Sequence, residues 1–194
     1  SKDYKKAVKW FRLAAEQGAA RAQYNMGVIF ENGQGVPRNY KTAVKWYKLA
    51  AKQGYAKSQY NLGVMHAKGR GVPRDYKAAV KSWKLAAKQG DHRAQYYLGF
   101  MYINGQGVPK DYKAAVKWYK LAAKQGNANA QYNLGLMYAN GQGISKAYKV
   151  AVKWFKLAAE QGTARAQFNL GVMYDEGLGV KQDYLYAHMW SNIA

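Results

Sequence analysis

The chain has 194 residues, with 31 Lys+Arg against 10 Asp+Glu and a formal charge of +21. Apolar residues make up 49%, enough for a packed core, which argues against a disordered chain in spite of the charge. Zero cysteine excludes disulfides, thiolate metal sites and cysteine nucleophiles, and no run approaches the roughly 18 apolar residues of a membrane span.

In chain order, Ser1 to Tyr4 carries no apolar leader. Asp3 is a natural N-cap for a first helix from Tyr4 to Gln17, which Gly18 stops. A second helix is expected from Ala20 to Asn32. Gly33-Gln34-Gly35-Val36-Pro37 is the return loop, and Asn39 caps the next first helix. Everything then recurs with a shift of 36. Gly18, Gly27, Gly33 and Gly35 become Gly54, Gly63, Gly69 and Gly71, and the series reaches Gly162, Gly171, Gly177 and Gly179 without a miss. Tyr4, Tyr40, Tyr76, Tyr112, Tyr148 and Tyr184 keep the same period.

A fixed period of this size is the mark of a solenoid. The expected fold is all-α, with five helix-turn-helix repeats (4–39, 40–75, 76–111, 112–147, 148–183) and a partial sixth (184–194). They form one solenoid domain over 1–194. The last fragment keeps Tyr184, Ala187 and Trp190 but loses the lysines. It ends inside a helix, so the sequence reads as a piece of a longer protein. Asp75, Asp111 and Asp183 repeat the cap. Ala147 breaks it, and Ser145 is expected to substitute.

Projection at about 100° per residue puts Val8, Ala15, Tyr4, Phe11, Ala7, Ala14 and Trp10 on one apolar arc, extended by Leu13. In the second helix Ala22, Met26, Gly27, Ile29 and Phe30 form the packing set. The mid-helix glycine at Gly27 costs about 1 kcal/mol relative to alanine, so its recurrence predicts a close helix approach. Two departures stand out. Lys81-Ser82-Trp83 replaces the Lys-Trp-Tyr of Lys117-Trp118-Tyr119, which moves the indole by about 100° and predicts a local change in packing. His66 replaces the aromatic found at Phe30, Tyr102, Tyr138 and Tyr174.

The strongest functional signal is the placement of the basic residues. They recur one, five and eight positions after each tyrosine: Lys5, Lys9, Arg12; Lys41, Lys45, Lys48; Lys77, Lys81, Lys84; Lys113, Lys117, Lys120; Lys149, Lys153, Lys156. Lys52, Lys88 and Lys124 extend the rows by a turn, while Glu16 and Glu160 stand there in the outer repeats. These offsets fall within about 60° of one helical projection, off the apolar arc. They form a ladder. Like charges one turn apart repel by a few tenths of a kcal/mol in isolated helices, and few acids compensate. The expected partner-binding residues are Lys9, Lys45, Lys48, Lys77, Lys81, Lys84, Lys113, Lys117, Lys120 and Lys153.

Asp111-Tyr112-Lys113-Ala114-Ala115-Val116-Lys117-Trp118, then Leu121-Ala122-Ala123-Lys124-Gln125-Gly126, then Ala130-Gln131-Tyr132-Asn133-Leu134-Gly135-Leu136-Met137-Tyr138 and Gly141-Gln142-Gly143 resemble the Sel-one-like repeat (SLR) family. That family is related to tetratricopeptide repeats. The resemblance implies a right-handed α/α superhelix with first helices lining the concave side. It also implies a non-enzymatic adaptor for other macromolecules, often in bacterial host-interaction, envelope or signalling proteins. Some secreted relatives carry a cysteine pair in each repeat, and this chain has none.

On that architecture the ladder faces a groove that would bind an acidic protein or peptide. Single-stranded nucleic acid is the alternative partner. Against it, the basic residues are mostly lysine rather than the bidentate arginine, and the regular aromatics lie on the packing arc. A second alternative is a structural spacer whose basic face only keeps it in solution. The compartment stays open, with a bacterial periplasmic or secreted site requiring a leader that has been removed.

No cofactor, metal or catalytic constellation is expected. His66, His92 and His188 fall in different repeats, without ligand spacing. Asp175-Glu176 is the one adjacent acid pair, and neighbouring carboxylates alone do not define acid–base work. Gly33-Gln34-Gly35 lacks the further residues of a phosphate loop, and its copies read as turns.

Overall fold

The computed structural model describes residues 2–193, with side chains over residues 6–190. The described residues form eleven helices and no strand. They are α1 (Lys2–Glu16), α2 (Ala20–Asn32), α3 (Tyr40–Lys52), α4 (Ala56–Lys68), α5 (Tyr76–Lys88), α6 (His92–Asn104), α7 (Tyr112–Lys124), α8 (Ala128–Asn140), α9 (Tyr148–Glu160), α10 (Ala164–Asp175) and α11 (Tyr184–Ile193). Odd-numbered helices are the first helices of the repeats and even-numbered ones the second. The chain packs as two compact units, residues 1–94 with 106–108, and residues 95–105 with 109–194.

The helix ends follow the caps, with two corrections. Asn39, Asp75 and Asp111 accept the N–H of Thr42, Ala78 and Ala114 at 2.9–3.0 Å, and Asp183 accepts that of Tyr186. Helix α1 begins at Lys2, so Asp3 lies within the helix rather than ahead of it; its side chain falls outside the described residues. Ser145 does not substitute at α9, where Ala147 is the N-cap and no side chain bonds the first turn. A capping oxygen must sit on the N-cap residue itself to reach the N–H groups two and three positions on, and Ser145 is two residues too early. Asp91 and Asn127 cap the second helices α6 and α8, which the tyrosine-based period does not reveal. Gly33 ends α2 in the left-handed region (φ 71°), its N–H bonded to the Ile29 carbonyl at 2.8 Å, a conformation that costs other residues a steric penalty.

The repeated mid-helix glycine is a notch for the next first helix. In one unit Tyr47 of α3 lies on Gly27 of α2, and Trp83 of α5 lies on Gly63 of α4. In the other, Tyr119 lies on Gly99, and Phe155 on Gly135. A methyl group on Gly99 or Gly135 would stand 2.6 Å from the facing ring. These four aromatics are buried, in cores otherwise built from alanine, valine, leucine and methionine. Trp10 and Phe11 are exposed, at 73% and 37%, unlike the expected packing arc. Trp10 and Phe11 stand at the positions of Trp46 and Tyr47 one repeat later. Leu13 also departs from the arc. It and its equivalents Leu49, Leu85, Leu121 and Leu157 are 43–51% exposed.

A buried glutamine in each second helix ties the repeats together. Gln131 donates to the Ala123 carbonyl at 3.2 Å, and its own carbonyl accepts Gln161 Nε2 of the next repeat at 2.7 Å. Gln53 to Gln23, Gln89 to Gln59 and Gln125 to Gln95 repeat the bond at 2.8 Å. Each satisfies a polar group that would otherwise be desolvated without a partner.

Candidate binding surface

The first helices carry the ladder outward. Lys9, Lys45, Lys48, Lys77, Lys81, Lys113, Lys117 and Lys153 are exposed, while Lys84 and Lys120 are half-buried. Lys5 lies outside the described side chains. Lys120 Nζ sits 5.6 Å from the centre of the Tyr138 ring, so part of its charge is directed to an aromatic face. Lys45, Lys48, Lys81, Lys117 and Lys153 make no ion pair with any carboxylate among the described residues. The half-exposed leucines run beside the ladder, nine positions after each tyrosine, where the lysines stand at five and eight. The face is therefore cationic with an apolar edge.

The two sequence departures meet in one unit. Trp83 occupies the place of Tyr47, over Gly63, and donates its indole N–H to the Tyr60 carbonyl at 3.1 Å. Ser82 is left in the place held by Trp46 in the previous repeat, with its hydroxyl folded back onto the Ala78 carbonyl at 3.0 Å. Beside it a depression of about 310 Å³ opens between α3, α4 and α5, lined among others by Lys48, Lys52, His66, Lys81, Ser82 and Leu85. His66 Nδ1 is buried with no hydrogen-bond partner. Burial, and then the Lys48 ammonium, hold this imidazole below its usual range, against a weaker opposing pull from Asp75. The ring is neutral near pH 7 and contributes an aromatic wall rather than a charge.

The second helices carry a further cationic and aromatic surface, missed by projection. Arg21, Lys57, Arg93 and Arg165 begin α2, α4, α6 and α10, each three residues before an aromatic of the same helix. The Arg93 guanidinium lies 4.1 Å from the centre of the Tyr60 ring and pairs with Asp91 at 2.7 Å. Burial acts to raise the Asp91 pKa, but the bonds from Arg93 and the Ala94 N–H outweigh it and hold the carboxyl low. In the other unit Arg165 borders a depression with Tyr96, Phe100, Asn129, Tyr132 and Asn133, and Phe168 beside it is 57% exposed. Periodicity alone cannot separate a ring sealed in a core from one bordering a groove, so the aromatics assigned wholly to packing serve both places. Arg38, Arg74, Lys110 and Lys146, two residues before each tyrosine, also stand over the rings of Tyr40, Tyr76, Tyr112 and Tyr148 at 4.6–5.8 Å.

The Sel1 repeat family model matches residues 1–18, 20–55, 56–91, 92–127, 128–163 and 164–194. The first block covers α1 alone, and each of the other five begins at a second helix and joins it to the following first one. A structure of a protective antigen of uropathogenic Escherichia coli displaying an SLR fold superposes on the whole chain with a TM-score of 0.97 and 41% identity. The chain spans 41% of that protein's length. A Sel1 repeat protein of Oxalobacter formigenes matches 99% of this chain and 79% of its own, with a TM-score of 0.94 and 34% identity. The immunity protein Pa5087 of Pseudomonas aeruginosa, at 20% identity and a TM-score of 0.56, shares the fold over 98% of this chain and 73% of its own. No curated protein sequence matches the chain. The fold class is thus the all-α SLR solenoid. No helix among the described residues is long and apolar enough to cross a membrane.

Proposed function

The chain belongs to the Sel1 repeat family, and on that premise we propose that its lysine-rich first-helix face binds an acidic segment of another protein. Sel1-repeat proteins as a class mediate protein–protein interactions and are generally non-catalytic. The observation that carries the finer reading is the ladder itself. Five repeats present basic residues at the same places, and Lys45, Lys48, Lys81, Lys117 and Lys153 are exposed and make no ion pair with a carboxylate among the described residues, beside half-exposed leucines. Unpaired like charges attract an acidic chain over about a Debye length and speed encounter, and the apolar edge gives the docked chain something to bury. Lysines act as separate point charges and suit carboxylates spaced along a flexible segment.

The test is fluorescence anisotropy with a labelled Glu/Asp-rich peptide, at about 150 mM salt. The native chain is expected to bind at micromolar concentration. A variant with Lys45→Glu, Lys81→Glu, Lys117→Glu and Lys153→Glu is expected to keep its helical circular dichroism and bind at least about tenfold more weakly. Equal affinity in the two proteins rules this face out. Tighter binding of single-stranded RNA, with a steep log–log salt slope, points to nucleic acid instead. Binding of neither leaves the spacer reading.

A further inference from the structure

The internal repeats show what normally fills the depression beside Ser82. One repeat earlier, Trp46 is half-buried against the cluster of Ala15 and Met26, together with Phe30. In the other unit Trp154 packs against the cluster of α7 and α8, with Tyr138 alongside. A shift of 36 turns Ala15, Met26, Phe30 and Trp46 into Ala51, Leu62, His66 and Ser82, and all four line the depression. Ser82 therefore leaves a ring-sized seat empty, and His66 widens it by replacing a larger aromatic. Trp83 does not refill it, because its indole is committed to the Gly63 notch and the Tyr60 carbonyl.

We propose that this seat takes an aromatic side chain of the acidic partner, inserted at the place where Trp46 and Trp154 pack their own indoles in their repeats, with flanking carboxylates meeting Lys48, Lys52 and Lys81. The proposal rests on the basic-face reading above and adds a residue-level specificity to it. The space of about 310 Å³ is at the low end of the roughly 300–1,000 Å³ of ligand sites, which suits one ring and its neighbours rather than a large cofactor. The walls are chemically suited to a ring. Ala51, Leu62 and Leu85 supply aliphatic contact, and the His66 imidazole supplies an aromatic one. The rim is cationic: Lys48 and Lys81 have no carboxylate partner among the described residues. An aromatic anchor filling a desolvated pocket is a common form of interface hot spot.

The experiment compares two labelled peptides on the full chain: an acidic peptide with one central tryptophan, and the same peptide with alanine in its place. The native chain is expected to prefer the tryptophan peptide by at least about tenfold. The double substitution Ser82→Trp with Trp83→Tyr restores the Lys-Trp-Tyr of other repeats, fills the seat and leaves every lysine in place. It is expected to bind both peptides equally, at the native affinity for the alanine peptide. His66→Tyr, a residue that Tyr102, Tyr138 and Tyr174 already carry at this position, fills the seat from α4 and is expected to weaken the preference if the double variant fails to fold. Equal binding of both peptides by the native chain overturns the seat and leaves the basic face standing. Retention of the preference in the filled variants also overturns the seat. Binding of neither peptide overturns both readings. Single-stranded RNA binding more tightly than the tryptophan peptide, with that advantage erased by the filling substitutions, makes the occupant a nucleobase and overturns the peptide.

Discussion

Single residues decide how well each helix of this chain starts. Helix α9 begins behind Ala147, with no side chain bonded to its first turn. The Ala147→Asp substitution is expected to raise stability by about 0.5–2 kcal/mol, read as a higher urea midpoint, because Asp75 and Asp111 make that bond from the same position. The added carboxylate would also sit at the positive end of a helix dipole. An unchanged midpoint would mean that the introduced carboxylate does not reach the Val150 N–H. The caps at Asp75 and Asp111 were legible because the residue type and the position both recur. Asp91 and Asn127 were not, because the equivalent places hold Ala19, Tyr55 and Thr163, and a cap that appears in two repeats of five leaves no periodic trace.

At the scale of elements, the chain is held by a plug and a notch. The glycine period announced a close approach, and the structure supplies its partner, an aromatic from the next first helix. Gly135→Ala is expected to destabilise. Pushing Phe155 aside costs about 1–3 kcal/mol as overpacking, against the about 1 kcal/mol alanine returns in helix propensity. The urea midpoint of the variant should fall, and a rise would show that the ring yields without strain. The glutamine spine was invisible in the sequence for a physical reason. A periodic polar residue in a helix looks like a solvent-facing one, and its partner is 30 residues away. Only burial separates the two. The empty seat was half legible. The displaced indole signalled a change at Ser82, but that Trp83 would take the place of Tyr47 required the notch geometry.

Across the whole molecule, charge opposes packing. With +21 spread over 194 residues, and one ion pair recorded among the described residues, between Arg93 and Asp91, self-repulsion weakens the folded state. Raising salt from about 0.01 to 0.1 M shortens the screening length from about 30 to 10 Å. The melting temperature is expected to rise over that interval. The variant carrying four Lys→Glu changes should show a smaller rise, and a flat response in the native chain would show that the ladder imposes no folding cost. The ladder was the most legible feature of the candidate site, since charge is written in residue identity. The arginine–aromatic surface of the second helices was the least, since half-burial of a tyrosine has no signature in composition.

The plug-and-notch joint bears on inheritance as well. The notches at Gly27, Gly63, Gly99 and Gly135 accept tyrosine, tryptophan, tyrosine and phenylalanine in turn, so a socket is not matched to one particular plug. Excising 36 residues between equivalent positions joins a socket to a plug of the same kind, and the glutamine on either side finds another glutamine. A chain one repeat shorter or longer would then keep its joints matched. Reach becomes a heritable quantity adjustable in whole steps, while the surface at each step can diverge, as the third repeat has already done.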